Sequence, residues 1–300
     1  MYKCVVCRNI YEGSKDCPHC GHVVQEVSGF PSYAMQLMSA GGGEGFHASS
    51  FSELWKVESG NFWFVSRNKL IVHFLRKFAQ GGKKNFLEIG CGTGFVLSAV
   101  ASEFPEFRLT ASDIFVEGLS FAVQRVPRAS FLQMDARNMP FFDEFDVVGA
   151  FDVLEHIEDD AGVISEVYNL IHDGGVFIAT VPQHMWLWSK QDDAACHVRR
   201  YSPGELEKKL VAAGFHIDAS VSFVSFLLPL MWFSRKIMQD SSSVAHEDND
   251  FAASGMREFS LPTPLNKFLT MVLTIERAAI KLGLRLPWGG SRLVVARKTA

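Results

Sequence analysis

Nine residues, Phe86-Leu87-Glu88-Ile89-Gly90-Cys91-Gly92-Thr93-Gly94, constrain this chain more than any other stretch. Apolar residues run into an acid, three glycines follow at every second position, and a helical pattern begins at Phe95. The pattern predicts a buried strand, a tight turn and the start of a helix. Glycine lets backbone approach a ligand closely, and the first turn of a helix leaves its N–H groups without intrahelical partners. Such a turn is built to hold a ligand, but glycine spacing alone does not say which one.

From Lys83 onward, strand-like and helix-like stretches alternate. Strands are expected at 85–90, 108–113, 130–134, 145–151 and 175–181, with helices near 94–104, 116–125 and 159–172. In the last helix Val163, Ile164, Val167, Leu170 and Ile171 share one face, and Asp173-Gly174-Gly175 closes it. This alternation implies parallel strands joined by right-handed crossovers, with ligands at the strands' C-terminal ends. Before it, Leu70, Ile71, Phe74, Leu75 and Phe78 follow a helical period from Arg67, and Gly81-Gly82 ends that helix. Phe62, Trp63 and Phe64 enter it, either as core or as lining of a substrate site. Ser202-Pro203-Gly204-Glu205 has the form of a capping box with proline at the first helical position, opening a helix to Gly214. Two more strands are expected near 215–223 and 292–297.

Residues 224–291 separate those two strands, far more chain than a hairpin needs. They carry the apolar run Phe226 to Phe233, a polar stretch from Gln239 to Asp250 that reads as disordered, and a helix opened by Thr263-Pro264. Leu265, Phe268, Leu269, Val272, Ile275, Ala279 and Ile280 lie along one side of that helix, with Lys267, Arg277, Lys281 and Arg285 adding basic groups. Such a helical pair packs on the domain as a lid or lies on a membrane surface. The longest apolar run, Phe223 to Phe233, is too short for the roughly 20 residues a spanning helix needs. With no apolar leader after Met1-Tyr2-Lys3-Cys4, a soluble, cytoplasmic protein is expected, in peripheral contact with the inner face of a membrane at most.

Four of the six cysteines fall early, as Cys4-Val5-Val6-Cys7 and Cys17-Pro18-His19-Cys20. Two such knuckles on a short connection have the spacing of tetrahedral Zn²⁺, and a segment this short has no core of its own. Disulfides are the alternative, and His19 and His22 are nearby substitutes, but Cys4, Cys7, Cys17 and Cys20 suffice. A closed four-thiolate site is structural, which makes residues 1–24 a zinc-ribbon-like module. Ala40-Gly41-Gly42-Gly43-Glu44-Gly45 reads as a flexible break within a linker and cap spanning 25–65. The core is then expected over 66–223, with a helical insertion at 224–290 and the last strand at 291–300. A net charge of −4 gives no whole-chain electrostatic case for nucleic acid.

Acids at strand ends narrow the ligand. Asp113 ends the second strand, 19 residues past Gly94, where a carboxylate can accept both hydroxyls of a ribose. This leaves a dinucleotide or S-adenosylmethionine. Asp135-Ala136 ends the third strand, where a side chain and a backbone N–H can grip an adenine edge. Asp152 follows the fourth strand, in Asp152-Val153-Leu154-Glu155-His156-Ile157.

From about Leu87 to Phe215 the chain resembles the class I S-adenosylmethionine-dependent methyltransferases. Glu88 to Gly94 is similar to the family's first motif, Asp113 to its ribose-binding acid and Asp135 to its adenine-proximal acid. Leu154-Glu155-His156-Ile157 resembles a segment of quinone-type and small-molecule members, and Asp173-Gly174-Gly175-Val176-Phe177 the turn into the fifth strand. The resemblance implies a Rossmann-like α/β fold: a seven-stranded sheet with an antiparallel last strand and helices on both faces. It also implies that Glu88, Gly90, Gly92, Gly94, Asp113, Asp135, Ala136 and Asp152 line the S-adenosylmethionine site, with Glu88 near the cofactor's amino group. Cys91 is then a small filler within the turn.

An oxygen nucleophile must also lose a proton. His156, His184 and His197 are candidates, with His197 and His156 taken as the catalytic pair. His197 lies in an aromatic, charged loop from Met185 to Tyr201 that follows the fifth strand. Trp186, Trp188, Arg199, Arg200 and Tyr201 are therefore expected to bind substrate, the arginines as an anion clamp. Otherwise the tryptophans pack, Arg200 pairs with Asp192 or Asp193, and Tyr201 anchors the next helix. The expected activity is methyl transfer to a small-molecule or lipid-linked acceptor, at oxygen. Two alternatives stand beside it: an RNA methyltransferase whose zinc module contacts RNA, and a non-catalytic partner-binding protein.

Overall fold

The alternation read from Lys83 builds a single nine-stranded sheet. A computed structural model describes residues 1–13, 15–35, 48–240 and 261–299. The strands are β1 (Tyr2–Lys3), β2 (Ile10–Tyr11), β3 (Gln25–Val27), β4 (Phe30–Ser32), β5 (Asn85–Ile89), β6 (Arg108–Asp113), β7 (Ser130–Gln133), β8 (Phe145–Phe151), β9 (Ile171–Pro182), β10 (Phe215–Phe223) and β11 (Ser291–Lys298). The helices are α1 (Ala48–Val57), α2 (Phe62–Phe78), α3 (Phe95–Glu103), α4 (Val116–Arg125), α5 (Asp160–Leu170), α6 (Lys190–Ala194), α7 (Glu205–Ala212), α8 (Leu228–Asp240) and α9 (Thr263–Lys281). The sheet order is β10-β11-β9-β8-β5-β6-β7-β4-β3, and β1 and β2 form a separate ribbon.

Strands β5 to β9 pair in parallel, while β11 lies antiparallel between β9 and β10. This is the seven-stranded Rossmann-like α/β sheet that the sequence implied. The two additional strands come from residues assigned to the linker. Residues 25–32 form a hairpin whose β4 pairs with the edge strand β7 through Ser32 and Gln133, backed by a Ser32–Gln133 side-chain hydrogen bond of 2.7 Å. Pairing satisfies backbone groups that a sheet edge otherwise leaves to water. The glycine run at 40–45 and positions 241–250 of the polar stretch lie outside the described residues.

Helices cover both faces. α2, α3, α4 and α9 pack one side through Leu70, Ile71, Leu97, Val100, Leu119 and Leu273. α5 and α7 pack the other through Val163, Ile164, Val167, Leu170, Leu206 and Leu210. The periodicity that placed these residues on single faces is the reason they bury. The box at Ser202 forms by half: Glu205 accepts from the Ser202 N–H at 3.0 Å, but Pro203 and Gly204 make a turn and helix α7 begins at Glu205.

Helix α9 has two apolar stripes. Leu269, Leu273 and Ile280 are buried with the core cluster of that face, whereas Leu265, Phe268, Met271 and Ile275 are exposed. Each buried side chain contributes about 1.5–3 kcal/mol, enough to hold the helix on the domain. Asn266 fixes its start, accepting from the Phe62 N–H and donating to the Gly60 carbonyl, both at 2.9 Å. No helix among the described residues is long and apolar enough to cross a membrane.

Candidate active site

The glycine turn joins β5 to α3 at the C-terminal edge of the sheet. Gly90 has φ +66°, and a Cβ there would stand 2.5 Å from a methyl of Val153. Gly94 has φ +75°, and its Cβ would meet Ala122 at 2.9 Å. Both the left-handed backbone and the neighbour exclude a side chain at these two positions. Glycine therefore lets the loop after β8 and helix α4 close onto the turn. Cys91 is buried beside them and burial pushes its thiol well up, so it fills space.

Two carboxylates flank this turn. Asp113, at the end of β6, accepts from the Gly92 N–H at 2.8 Å and the Phe115 N–H at 2.9 Å. Each oxygen takes one N–H, which leaves lone pairs for further donors. Burial raises its carboxyl to about 6 against the pull of those N–H groups. Glu88 is only 2% exposed, and its Oε2 has no hydrogen-bond partner. Burial pushes its carboxyl up to about 8; the positive charge of Arg67 opposes this, and Asp113 adds to it. An orphaned buried carboxylate is costly, and a cationic amine placed against it would remove the cost.

The other anticipated cofactor residues are placed as follows. Asp152 has φ +58° and takes the guanidinium of Arg67, while Thr180 donates to it at 3.2 Å. Arg67 also lies over the Trp63 ring, 4.6 Å from its centroid. Trp63 and Arg67 thus tie α2 to the end of β8. Asp135 is gripped by Arg137 through contacts of 2.7 and 2.9 Å, and Ala136 is buried. Above the turn, Glu58 at the end of α1 accepts from Thr93 at 2.7 Å and pairs with Arg125 at 2.6 Å, which fastens α1 over the glycines.

The loop after β9 returns to its own starting point. Gln183 and Tyr201 form a bridge, closed by the Tyr201 N–H to Pro182 and the His184 N–H to Tyr201, both at 2.9 Å. Inside this closed loop the anticipated anion clamp is already engaged. Arg200 donates to Asp192 at 2.7 Å and to the Gln183 carbonyl at 3.2 Å. Arg199 pairs with Asp160 at 2.8 Å, and the Tyr201 hydroxyl donates to the same carboxylate at 2.6 Å. Buried charge needs such partners, and these contacts of Arg199, Arg200 and Tyr201 hold the loop together. Trp188 donates to Asp193 at 2.9 Å, whereas Trp186 is 56% exposed and packs on His184.

His197 and His156 are brought together, with ring centroids 4.8 Å apart. Asp192 accepts from His197 Nδ1 at 2.9 Å, which turns Nε2 toward Glu155, 4.0 Å away. Burial, with the charge of His197 beside it, lowers His156 to about 3, so that ring is neutral. Glu155 is completely buried, and burial together with Asp152 raises its carboxyl well above the usual range. Sequence reading missed Arg67, Asp192, Glu58 and Glu155 as site groups. Glu155 lies in Leu154-Glu155-His156-Ile157, but nothing in its spacing distinguishes a helix-turn acid from an inward-facing one.

At the N-terminus, the sulfurs of Cys4, Cys7, Cys17 and Cys20 lie within 4.8 Å of one another, and none is in a disulfide. Cys4 and Cys20, and Cys7 and Cys17, are 3.6 Å apart. Zinc–sulfur bonds of about 2.3 Å in a tetrahedron require edges of about 3.8 Å, so the four thiols fit that ion. The module sits on α5, where Glu166 takes both Lys3 and Arg8, the latter at 2.7 Å.

Residues 87–179 match the methyltransferase domain family. A probable S-adenosylmethionine-dependent methyltransferase of Mycolicibacterium smegmatis is 28% identical over 53% of this chain and 61% of its own length. A ubiquinone biosynthesis O-methyltransferase of Azotobacter vinelandii is 32% identical over 38% of this chain and 51% of its own. The chain thus spans less than two thirds of the length of these relatives. Among solved structures, a Haemonchus contortus phosphoethanolamine N-methyltransferase with bound S-adenosyl-L-methionine superposes with a TM-score of 0.54 at 18% identity, covering 85% of this chain and 58% of that one. A Haloferax volcanii complex of the Trm112 methyltransferase activator and a putative methyltransferase has a TM-score of 0.55 at 16% identity, covering 84% and 96%. The fold is thus that of an S-adenosylmethionine-dependent methyltransferase core.

Proposed function

We propose that this protein transfers a methyl group from S-adenosylmethionine to an oxygen of a small-molecule or lipid-linked acceptor. The observation that carries the cofactor is the pair Glu88 and Asp113. One is a buried carboxylate with an orphaned oxygen, and the other is held by the glycine turn with lone pairs to spare. They suit the amino group and the ribose hydroxyls of one nucleoside ligand, with Asp135 and Ala136 on its adenine side. The cofactor supplies a methyl already activated on a sulfonium sulfur. The residues here bind, orient and exclude water, and alignment of the acceptor is most of the remaining work. His197, its Nδ1 held by Asp192, serves the acceptor end of the site. Relatives named as ubiquinone biosynthesis and malonyl-[acyl-carrier protein] O-methyltransferases support an oxygen acceptor.

Isothermal titration with S-adenosylhomocysteine is expected to give micromolar binding. Incubation of extracts with methyl-labelled S-adenosylmethionine should place label in the lipid or small-molecule fraction. Label in RNA, or no nucleoside binding by folded protein, overturns the reading.

The exposed stripe of α9 and the exposed Trp232 and Phe233 of α8 support peripheral membrane contact for an amphiphilic acceptor. In liposome flotation the intact protein should rise with the vesicles. Replacing Phe268 and Ile275 by serine, both surface positions, should lower the bound fraction by about 10-fold or more, since each apolar side chain contributes about 1.5–3 kcal/mol. Failure of the intact protein to float sinks the membrane part and leaves methyl transfer standing. The four thiolates hold one structural Zn²⁺, which accounts for a folded module too small to have a core.

A further inference from the structure

We propose that Glu155, His156 and His197 form a binding site for a divalent transition-metal cation at the acceptor end of the active site. The inference rests on the methyl-transfer reading for its purpose but not for its geometry. One ligand atom from each residue lies within 4.8 Å of the others. Glu155 is 0% exposed, yet neither carboxylate oxygen has a hydrogen-bond partner. A buried carboxylate is ordinarily paired or bound to metal.

The surrounding groups are arranged as around metal-binding histidines. Asp192 accepts from His197 Nδ1 at 2.9 Å and leaves Nε2 toward Glu155. Backbone groups of Ala195 and Cys196 lie beside the ring of His156. A histidine ligand commonly donates its other nitrogen to a carboxylate or carbonyl, which fixes the ring and raises its basicity. The two loops that carry the ligands are joined, because the Val198 N–H donates to the Glu155 carbonyl at 2.8 Å.

Charge favours a cation as well. Asp152 takes Arg67 and Asp192 takes Arg200, so both guanidiniums near Glu155 are already neutralised. Glu155 is the carboxylate left over. Two imidazoles and one carboxylate suit Mn²⁺, Fe²⁺, Co²⁺ or Zn²⁺ better than Ca²⁺, and three protein ligands leave positions open for substrate. Ligands at about 2.1 Å from one ion stand about 3–3.5 Å apart, so the three side chains draw in by about an ångström on binding.

The cation takes the acceptor hydroxyl oxygen at an open position and lowers its pKa. The hydroxyl proton leaves to water. The oxygen lone pair then forms the O–CH₃ bond as the S–CH₃ bond breaks, and its electrons pass to sulfur, giving a neutral thioether. His197 binds the cation in this scheme and takes no proton.

Mn²⁺ is the probe, because thiolates bind it poorly and the cysteine module does not compete. Electron paramagnetic resonance of free Mn²⁺, titrated against the full chain with its zinc in place, is expected to show one bound ion per chain. Glu155→Gln and His197→Ala should each weaken that binding by at least about 10-fold, with S-adenosylhomocysteine binding changed by less than about 3-fold. The same Mn²⁺ affinity in wild type and both variants, or no Mn²⁺ binding by wild type that binds S-adenosylhomocysteine, overturns the site. Mn²⁺ binding lost in the variants, in a protein that binds no S-adenosylhomocysteine, keeps the site and removes the methyl-transfer reading instead.

Discussion

Glu88→Gln is expected to weaken S-adenosylhomocysteine binding by about 10- to 100-fold, because a hydrogen bond to a charged group contributes about 1.5–3 kcal/mol. It should also remove a proton signal. With its carboxyl raised to about 8, ligand-free Glu88 is mostly protonated at pH 7. An ammonium group set against it favours the carboxylate, so binding releases close to one proton. Titration enthalpies at pH 7 in phosphate and in Tris should therefore differ in proportion to the buffers' ionisation enthalpies. The difference should vanish in the variant, and at pH 9 in the wild type, where the group is already ionised. Equal enthalpies in both buffers for the wild type would place the amino group elsewhere.

The same carboxyl sets a direction for stability. Its value rises from 4.5 to about 8 on folding, so the folded chain holds an extra proton between those limits. The associated stability is fully present below about 4.5 and is lost as pH rises through about 8. Cofactor binding offsets that loss, because the bound amine makes the ionised form the favoured one.

Removing the Zn²⁺ proposed for the cysteine module is expected to have the second large effect. Structural zinc in small modules contributes roughly 10–16 kcal/mol, far more than a 24-residue segment gains by packing. A chelator strong enough to strip the ion, or Cys17→Ser, should melt residues 1–22 and release the Lys3 and Arg8 contacts to Glu166. Trypsin should then cut at Lys3, Arg8 and Lys15 at least about 10-fold faster, and metal analysis should fall by one zinc per chain. A module that stays protease-resistant with no metal bound would show that its thiols fold without it.

Much of this protein was legible because it depends on local pattern. The Val163, Ile164, Val167 and Leu170 stripe had to bury, and the expected strand at 145–151 coincides with β8. The β9 strand reaches back to Ile171, because a register shift lets residues before Gly175 keep pairing with β8. Local pattern could not show that residues 25–32 extend the sheet, since a three-residue strand has almost no signal of its own and pairs only because β7 offers an open edge.

The active site divides along the same line. Glycines at 90, 92 and 94, an acid before them and Asp113 after them were determined by the sequence alone. A strand–turn–helix this tight admits no side chain at Gly90 or Gly94. What Arg199, Arg200 and Tyr201 do was decided only by the tertiary structure. Asp160 and Asp192 converge on them from separate elements, and a buried guanidinium or phenol goes to the nearest buried carboxylate. The opposite outcome at Glu155 has the same cause. The closed loop brings His197 up to Glu155 and its chain neighbour His156 without a hydrogen-bond partner for that carboxylate, and only the folded chain could leave it unpaired.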